Sequence, residues 1–227
     1  MDKMKIIARI HTDFPEKFGL PRQSGLAPHL TGTIVFEPEF RDINALKGIE
    51  DFNYLWLIFR FDLDESKERA FQPTVRPPRL GGNARMGVFA TRSPFRPNPI
   101  GLSSVKFEGV KETSEGPVIL VSGIDLKDGT AIYDIKPYLK YADSHEDALN
   151  GFAGDHLLEG LKVNIEDKLL ELISEDKRAG LFEILSQDPR PHYHNDSERV
   201  YGISYAGLNI SFRVSENILT VVSVSTE

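Results

Sequence analysis

Short runs rich in apolar residues, separated by polar and turn-forming residues, divide the first 140 residues into predicted strands. Five such runs lie at residues 5–10, 31–36, 52–61, 100–110 and 117–124. The run at 52–61 is aromatic and β-branched on both faces, which is typical of a central strand, so we predict that Trp56 lies in the core. Short strands joined by turns and long irregular loops predict an antiparallel barrel or sandwich.

A sixth strand is predicted after the turn signal Asp128-Gly129. Simple alternation assigns its residues to two faces, one with Thr130, Ile132, Asp134 and Lys136 and the other with Ala131, Tyr133 and Ile135. A carboxylate and an ammonium group on one face predict either a chemical site or a solvent-facing ion pair. Spacing alone does not choose between these two interpretations.

The connection at residues 12–30 is punctuated by proline and glycine. Loops of this length inside a compact domain are usually functional or disordered. Because the stretch 19–26 is too apolar for disorder, we interpret it as a candidate site loop.

The composition changes after Pro137, and residues 141–160 are acidic and polar, as is typical of a linker. Beyond them the pattern predicts a strand at 161–165, a helix at 166–187 and three further strands. Gly180 is a candidate break in that helix. The predicted domains are a β domain at 1–140, a linker at 141–160 and a small α+β domain at 161–227.

Charge is segregated along the chain, which has 227 residues and a formal net charge of −7. No acidic residue occurs between Glu68 and Glu108. The same stretch holds Lys106 and six arginines, Arg69, Arg76, Arg79, Arg85, Arg92 and Arg96. Its prolines stiffen it, and stiff arginines lose less entropy when they bind an anion. We therefore favour a surface for a polyanion or a carboxylate over a solvated basic loop.

Several classes of protein are disfavoured. The chain has no cysteine and no apolar run near the ~20 residues of a membrane span. It also lacks a secretory segment, so we expect a cytoplasmic protein with no membrane contact. No Gly-x-Gly-x-x-Gly or Walker-type loop supports a Rossmann or P-loop site. His192 and His194 have no third ligand nearby in the sequence, so we expect no metal site.

Asp188-Pro189-Arg190-Pro191 ends the predicted helix, and Tyr193 follows it. The two prolines would hold Arg190 and Tyr193 in extended geometry, which suits contacts to phosphate and to a base. The alternative is a helix stop with a surface arginine, and the local pattern alone favours that alternative.

Longer sequence motifs are more informative about the function of the chain than residue spacing. They comprise residues 75–83, 85–102, 128–130 and 134–138, with residues 17–23, 187–191 and 199–201 nearer the ends. Together they closely resemble the TsaA/YaeB-like family. These are the S-adenosylmethionine-dependent TrmO enzymes, which N6-methylate threonylcarbamoyl-adenosine beside the anticodon of tRNA. The resemblance covers nearly the whole chain.

The resemblance implies an N-terminal antiparallel β-barrel, unlike the Rossmann fold of most methyltransferases, with a small α+β C-terminal domain. It also implies a homodimer with S-adenosyl-L-methionine as its cofactor. The implied cofactor-binding residues are Gln23, Ser24, Gly25, Arg92, Leu102, Asp128, Gly129, Thr130 and Ala131. Many relatives place His after the Phe-x-Phe of the central strand, and this chain departs from them with Asp62.

The implied methyl transfer is an in-line displacement that depends on alignment and on a group that accepts the N6 proton. Asp134 and Asp128 are the candidates for that group, and Lys136 is a further catalytic candidate that could also hold RNA phosphates. We expect Arg92 to pair with the cofactor carboxylate. The residues expected to hold the tRNA anticodon loop are Arg22, Arg76, Arg79, Arg85, Arg96, Arg190 and Tyr193. The alternatives are a non-catalytic RNA-binding module and a dimeric regulatory protein.

Overall fold

A computed structural model describes residues 4–63, 70–77, 80, 84–156, 160–190 and 196–226. Two residues that were predicted to bind the substrate, Arg79 and Tyr193, lie outside these ranges. Strands dominate the first half of the described chain, and the second half combines a sheet with helices.

Six strands of the first half close into a barrel in the order β1-β2-β7-β6-β3-β8, and every neighbouring pair is antiparallel. Two short strands, β4 and β5, pair separately on the connection between β3 and β6. The bounds are β1 Ala8–Thr12, β2 Thr31–Phe36, β3 Tyr54–Arg60, β4 Thr74–Val75, β5 Met86–Gly87, β6 Ile100–Thr113, β7 Gly116–Ser122 and β8 Thr130–Pro137. The predicted antiparallel barrel is confirmed.

The inner face of β3 fills the barrel with Leu55, Leu57 and Phe59, which are all buried. Trp56 alternates with them and lies half-buried on the outer face, so the prediction of a core tryptophan is wrong. Apolar residues occupy both faces of this strand, and periodicity therefore could not assign its inner side. Gly101 stands opposite Phe59, and a Cβ there would lie 2.2 Å from the phenylalanine ring.

A β-bulge in β8 changes which residues share a face. Ile58 of β3 pairs with Asp134, whereas the next residue, Phe59, pairs with Ile132, so Tyr133 has no opposite residue on β3. Simple alternation through β8 was therefore the wrong prediction. Ile132 is buried inside the barrel, while Asp134 and Lys136 lie on the outer face.

The second half forms a four-stranded sheet in the order β10-β11-β12-β9, in which β9 is parallel to β12. The strands are β9 Lys162–Asn164, β10 Tyr201–Tyr205, β11 Leu208–Ser215 and β12 Ile218–Thr226, and the helices beside them are α2 Asp167–Leu170 and α3 Glu175–Ser186. A short helix, α1 Lys140–Asp143, follows β8 of the barrel. The predicted small α+β arrangement is confirmed. Within the described ranges, no helix combines the length and the apolar character that crossing a membrane requires.

The predicted helix at 166–187 is divided between α2 and α3, and Gly180 lies within α3 rather than at the break. The reason for glycine here is close packing. A Cβ at this position would lie 2.7 Å from Leu30 Cδ2 and 2.8 Å from the hydroxyl of Tyr205. Gly180 therefore lets α3 approach the loop that precedes β2.

One continuous core joins the barrel to the second half. The rings of Phe14 and Tyr205 pack with 5.1 Å between their centroids. Asp13 pairs with Lys177 at 2.7 Å, and its carbonyl accepts a 2.9 Å hydrogen bond from the Ala206 amide. Residues 13–30 thus carry contacts between the barrel and the second half. The domain boundaries proposed from the sequence remain a prediction.

Candidate active site

Three connections of the barrel leave from the same end. They are the β1–β2 loop (residues 13–30), the β3–β6 arm (residues 61–99) and the short β7–β8 turn (residues 123–129). The opposite end has the connection from β2 to β3 (residues 37–53), the β6–β7 hairpin and the exit from β8. Most of the predicted cofactor residues lie on these three connections or on the strand ends beside them.

Arg92 and Gln23 join the arm to the β1–β2 loop. NH1 of the exposed Arg92 donates a hydrogen bond to Oε1 of Gln23, although 69 positions separate them. The same loop is fixed to the β7–β8 turn, because the Gly25 amide donates to the Gly123 carbonyl at 2.8 Å. Three predicted cofactor segments thus meet at one end of the barrel.

Asp125, which sequence reasoning missed, lies at the centre of this junction. Its Oδ1 accepts a 2.7 Å hydrogen bond from the Ser103 hydroxyl of β6, and its carboxylate also accepts from the backbone of Ser24. Burial raises the pKa of Asp125, and the hydrogen bonds from Ser103, from its own backbone and from Ser24, with the nearby charge of Arg92, only partly oppose that rise. The available signal was an acidic residue between the apolar Ile124 and Leu126.

Asp128 fastens the β7–β8 turn to the end of β1. Its Oδ1 accepts a 3.0 Å hydrogen bond from the Thr12 amide and lies 3.2 Å from Nδ1 of His11. Gly129 follows with φ of +73°, a conformation that favours glycine. The side chain of Thr130 is buried and donates to the Lys127 carbonyl at 2.7 Å.

Asp62, at the position where many relatives have His, joins all three connections. Its carboxylate lies 3.0 Å from Nζ of Lys127, and its carbonyl accepts a hydrogen bond from Lys17. The hydrogen bond from Lys127, with the positive charge beside it, lowers the pKa of Asp62. This aspartate therefore acts as a tie between the loops.

A second group of predicted residues lies on the outer face of the barrel. Ile58 of β3 pairs with Leu102 of β6 on one side and with Asp134 of β8 on the other. Leu102 is 54% exposed, which is unusual for a leucine in a strand. Asp134 Oδ2 pairs with Nζ of Lys136 at 2.8 Å, and its Oδ1 accepts from the Ile135 amide at 3.0 Å.

The structure separates the two predicted proton acceptors. Asp128 lies in the turn before β8, whereas Asp134 lies past the middle of that strand. Because a strand rises about 3.3 Å per residue, the residues from Thr130 to Asp134 alone span roughly 10 Å or more. The two carboxylates therefore belong to different surroundings.

The predicted substrate-binding arginines also divide. Arg76 and Arg85 are exposed on the arm, where NH1 of Arg85 donates to the Thr74 hydroxyl at 3.1 Å. NH1 of Arg96 instead donates to the carbonyls of Thr91 and Val88, at 2.6 and 3.3 Å. Arg96 therefore braces the arm.

Arg190 is bound to Asp188, and Asp188 lines the same cavity as Arg22. Arg190 makes two 2.8 Å hydrogen bonds to Asp188, which raise its pKa. Its side chain is only 14% exposed. Arg22 lines a cavity of about 140 Å³ between the β1–β2 loop and the residues that follow α3, including Asp188 and Pro189.

Comparison with known proteins identifies the family. The sequence model of the tRNA-methyltransferase O N-terminal domain matches residues 9–144, and that of the TrmO C-terminal domain matches residues 161–227. The chain belongs to the tRNA-methyltransferase O family. The tRNA (adenine(37)-N6)-methyltransferase of Escherichia coli K12 is 39% identical over 218 residues, which cover 92% of each chain.

Two further members of the tRNA-methyltransferase O family or its relatives come from Pseudomonas aeruginosa. RcsF, named as a candidate S-adenosylmethionine-dependent methyltransferase, is 42% identical over 212 residues, covering 90% of this chain and 89% of its own. The crystal structure of TrmO matches with a TM-score of 0.80 and 33% identity, over 100% of this chain and 98% of that one. The resemblance inferred from the motifs is confirmed.

For this member of the tRNA-methyltransferase O family, the described residues include no group of three His, Asp or Glu side chains that could hold a metal ion. The predicted cofactor residues of the loops meet at one barrel end, with Leu102 and Ala131 on the strands beside them. The predicted catalytic residues do not form a single cluster. Asp134 and Lys136 pair on the outer face, and Asp128 is engaged with β1.

Proposed function

We propose that this protein transfers a methyl group from S-adenosyl-L-methionine to N6 of threonylcarbamoyl-adenosine next to the anticodon of tRNA. The proposal rests on membership of the tRNA-methyltransferase O family and on the name of the Escherichia coli relative, a tRNA (adenine(37)-N6)-methyltransferase. The observation that carries it is the hydrogen bond between Arg92 and Gln23. This contact joins the β3–β6 arm to the β1–β2 loop, and the family resemblance implies that both segments bind S-adenosylmethionine.

The chemistry of the junction fits this cofactor. The exposed guanidinium of Arg92 is a bidentate partner for the carboxylate of an amino acid. Leu102 offers exposed apolar surface to a ring or a methylene chain. The backbone from Asp128 to Ala131, with Gln23, Ser24 and Gly25, would supply polar contacts to the ribose and the adenine. When bound, S-adenosylmethionine supplies a methyl group on a positively charged sulfur.

Asp134 is the better candidate for the group that accepts the N6 proton. The nitrogen of threonylcarbamoyl-adenosine is urea-like and weakly nucleophilic, so alignment and proton removal should both matter. Asp134 shares the outer face with Leu102, with only Ile58 between them. Both carboxylates already accept a backbone hydrogen bond, Asp128 from Thr12 and Asp134 from Ile135, so it is the position beside Leu102 that favours Asp134. Lys136, which pairs with Asp134 at 2.8 Å, would hold that carboxylate in place or contact RNA phosphate.

The exposed Arg76 and Arg85 would bind phosphates of the anticodon loop or the threonyl carboxylate, and Arg79 remains a further candidate outside the described residues. We assign Arg96 and Arg190 supporting roles, because carbonyls and Asp188 already engage them. Arg22 would bind the tRNA at the cavity that it lines.

The proposal extends to a homodimer. Three phenylalanines of the arm are exposed, Phe71, Phe89 and Phe95, with Phe89 exposed by 73%. Phe71 and Phe89 stack at 6.3 Å between ring centroids, which forms a small apolar patch. Such patches commonly mark interfaces. Sedimentation velocity should give a dimer for the wild type and a shift toward monomer for Phe89→Ser; a monomeric wild type contradicts this part.

One experiment tests the activity in two stages. Calorimetry with S-adenosylmethionine should give binding. Incubation should then methylate a tRNA that carries threonylcarbamoyl-adenosine next to its anticodon, but not the same transcript without that modification. Mass spectrometry of the digested nucleosides locates the methyl group. Binding of tRNA without any cofactor binding would contradict the enzyme and favour an RNA-binding module; binding of neither ligand would favour a regulatory dimer.

A further inference from the structure

Aromatic side chains collect at the barrel end opposite the candidate active site. We call the group formed by Phe52, Tyr54, Trp56, Tyr138 and Tyr141 the aromatic shelf. The rings of Trp56 and Tyr138 lie 5.5 Å apart between centroids, and those of Tyr54 and Tyr138 lie 6.3 Å apart. Tyr54 is 41% exposed and Tyr141 is 88% exposed. None of the roles proposed above uses this group.

The tryptophan of the shelf is held in one orientation. Its Nε1 donates a 3.0 Å hydrogen bond to Oδ2 of Asp143, a residue 87 positions later in the chain. The same oxygen accepts a 2.8 Å hydrogen bond from the Leu139 amide. The short helix α1 is therefore joined to the face of β3, and the Trp56 ring does not have to be ordered when a ligand binds. Such preorganisation favours affinity.

An open surface depression of about 660 Å³, the cavity of the shelf, is lined by Phe52, Tyr138, Leu139, Lys140, Tyr141, Ser144 and Glu146. It is broadly open to solvent and does not enclose a small ligand. The wall combines aromatic rings with an ammonium group, a hydroxyl and a carboxylate. Glu146 would accept a hydrogen bond from an amino group of a base but would repel a phosphate. The cavity therefore suits a base better than a phosphate.

Lysines border the shelf on the outer face of the barrel. Lys136 stands opposite Trp56 across β3 and β8, and Lys106 stands opposite Tyr54 across β3 and β6. Lys106 pairs with Glu108 at 2.9 Å, and Lys136 pairs with Asp134. Exposed pairs of this kind are weak, so a phosphate can replace the carboxylate partner.

The shelf continues the face that carries the proposed chemistry. Leu102, Ile58 and Asp134 form one row across β6, β3 and β8, and the next row contains Trp56 with Lys136. Tyr54 lies four residues along β3 from Ile58, which is roughly 13 Å. An RNA strand with its target nitrogen near Asp134 would reach the shelf with a neighbouring nucleotide.

We propose that the aromatic shelf stacks a base of the tRNA anticodon loop that neighbours the methylated adenosine. This inference rests on the proposed function, because it takes tRNA as the substrate. Aromatic rings beside lysines are the usual features of surfaces that bind single-stranded nucleic acid. A second copy of the chain would instead have to cover lysines and carboxylates at this face, which is an unfavourable composition for the centre of an interface.

Trp56 is the only tryptophan of the chain, so its fluorescence reports on this surface alone. An anticodon stem-loop RNA should quench that fluorescence in the wild-type protein. Heparin, a polyanion without bases, should bind through charge and leave the emission nearly unchanged. Quenching by both ligands, or by neither while the RNA still binds, overturns the stacking proposal.

Two variants test the energetics. Tyr141→Ala and Tyr138→Leu should each weaken binding of the stem-loop by about 5- to 100-fold. The control Leu172→Ala removes an exposed apolar side chain of the second half and should have no effect. Binding of S-adenosylmethionine should be the same in all three variants as in the wild type. A wild-type protein that does not bind S-adenosylmethionine would contradict the proposed function rather than the stacking inference. Unchanged RNA affinity, or loss of a dimer on Tyr141→Ala, overturns the inference.

Discussion

The Ser103 hydroxyl and the Asp125 carboxylate are joined by a 2.7 Å hydrogen bond beside the β1–β2 loop. One partner belongs to a barrel strand and the other to the β7–β8 turn. The amide of Ser24 donates to the same carboxylate, so one acidic group connects three segments of the candidate site. Its ionisation should therefore affect the stability of the site.

Our first prediction concerns pH and Asp125→Asn. Burial raises the pKa of Asp125, so the folded protein binds this proton more tightly than the unfolded chain does. Lowering the pH from about 7 toward about 4 should therefore stabilise the wild type relative to the variant, and the gain should be lost as the pH rises through the folded pKa. Thermal melting of both proteins across this range measures the difference.

Other carboxylates titrate in both wild type and Asp125→Asn, so their effects cancel in the difference between the two melting temperatures. Asp62 has a lowered pKa and so destabilises both proteins as the pH falls. A constant difference in melting temperature between wild type and Asp125→Asn would show that Asp125 titrates as it does in the unfolded chain.

Arg92→Ala should weaken binding of S-adenosylmethionine by about 10- to 100-fold, because a charged hydrogen-bonded pair is lost. Binding of tRNA should stay within about twofold of wild type. Calorimetry and filter binding measure the two affinities. Arg213→Ala, which removes an exposed arginine of β11, is the matched control. Equal losses of both ligands would show that Arg92 is not a cofactor residue.

Asp134→Asn should lower the rate of methyl transfer about 100-fold or more, since the proposed proton acceptor is removed. Its affinity for S-adenosylmethionine should not change. Asp128→Ala should behave differently and cost about 1–2 kcal/mol of folding stability, because the Thr12 amide loses its acceptor. Single-turnover rates and chemical unfolding distinguish the two residues; a larger rate loss in Asp128→Ala would exchange their roles.

Arg76 and Arg85 should contribute to affinity for tRNA mainly through charge. If each contacts one phosphate, the double alanine variant should make the plot of log affinity against log salt less steep by about 1.4–1.8. Filter binding over a salt series measures this slope. An unchanged slope with weaker binding would indicate contacts other than phosphate.

Gly180→Ala should destabilise the protein by about 1–3 kcal/mol. Helix propensity alone favours alanine by about 1 kcal/mol, but the new methyl group would lie 2.7 Å from Leu30 and 2.8 Å from Tyr205. Urea unfolding gives the free-energy change. Gly87→Ala is the control, because it has φ of −56° and nothing within 4 Å of the added Cβ. A stabilised Gly180→Ala protein would mean that α3 moves freely on the loop.

The barrel strands could be predicted because their apolar runs are short and are bounded by turn residues. The strand at 31–36 and the turn at Asp128-Gly129 are found where the pattern put them. The side of β3 that faces inward could not be predicted, because Trp56 and Leu57 are both apolar. The bulge at Tyr133 leaves no local signal, since it depends on pairing with Ile58 and Phe59.

Some residues of the candidate site could likewise be predicted from the sequence, and others could not. Arg92 and Gln23 were found through motifs, because each lies in a long specific stretch. Asp125 was missed because its importance comes from Ser103 and Ser24, which meet it only when the barrel closes. Arg190 was predicted to face a ligand, yet its partner Asp188 lies only two positions away. Local charge could not reveal which arginines are already engaged.

The β1–β2 loop has one flank on each half of the molecule. Gly25 holds it to the β7–β8 turn, while Gly19 lies against Ile203 and the Leu26 carbonyl accepts a hydrogen bond from Gln187. The two halves are thus not interchangeable modules. A chimaera could join the C-terminal half of a relative to this barrel. It would have to keep the surface around Ile203 and Gln187 that supports the β1–β2 loop. Otherwise Gln23 would move although no residue of the barrel had been changed.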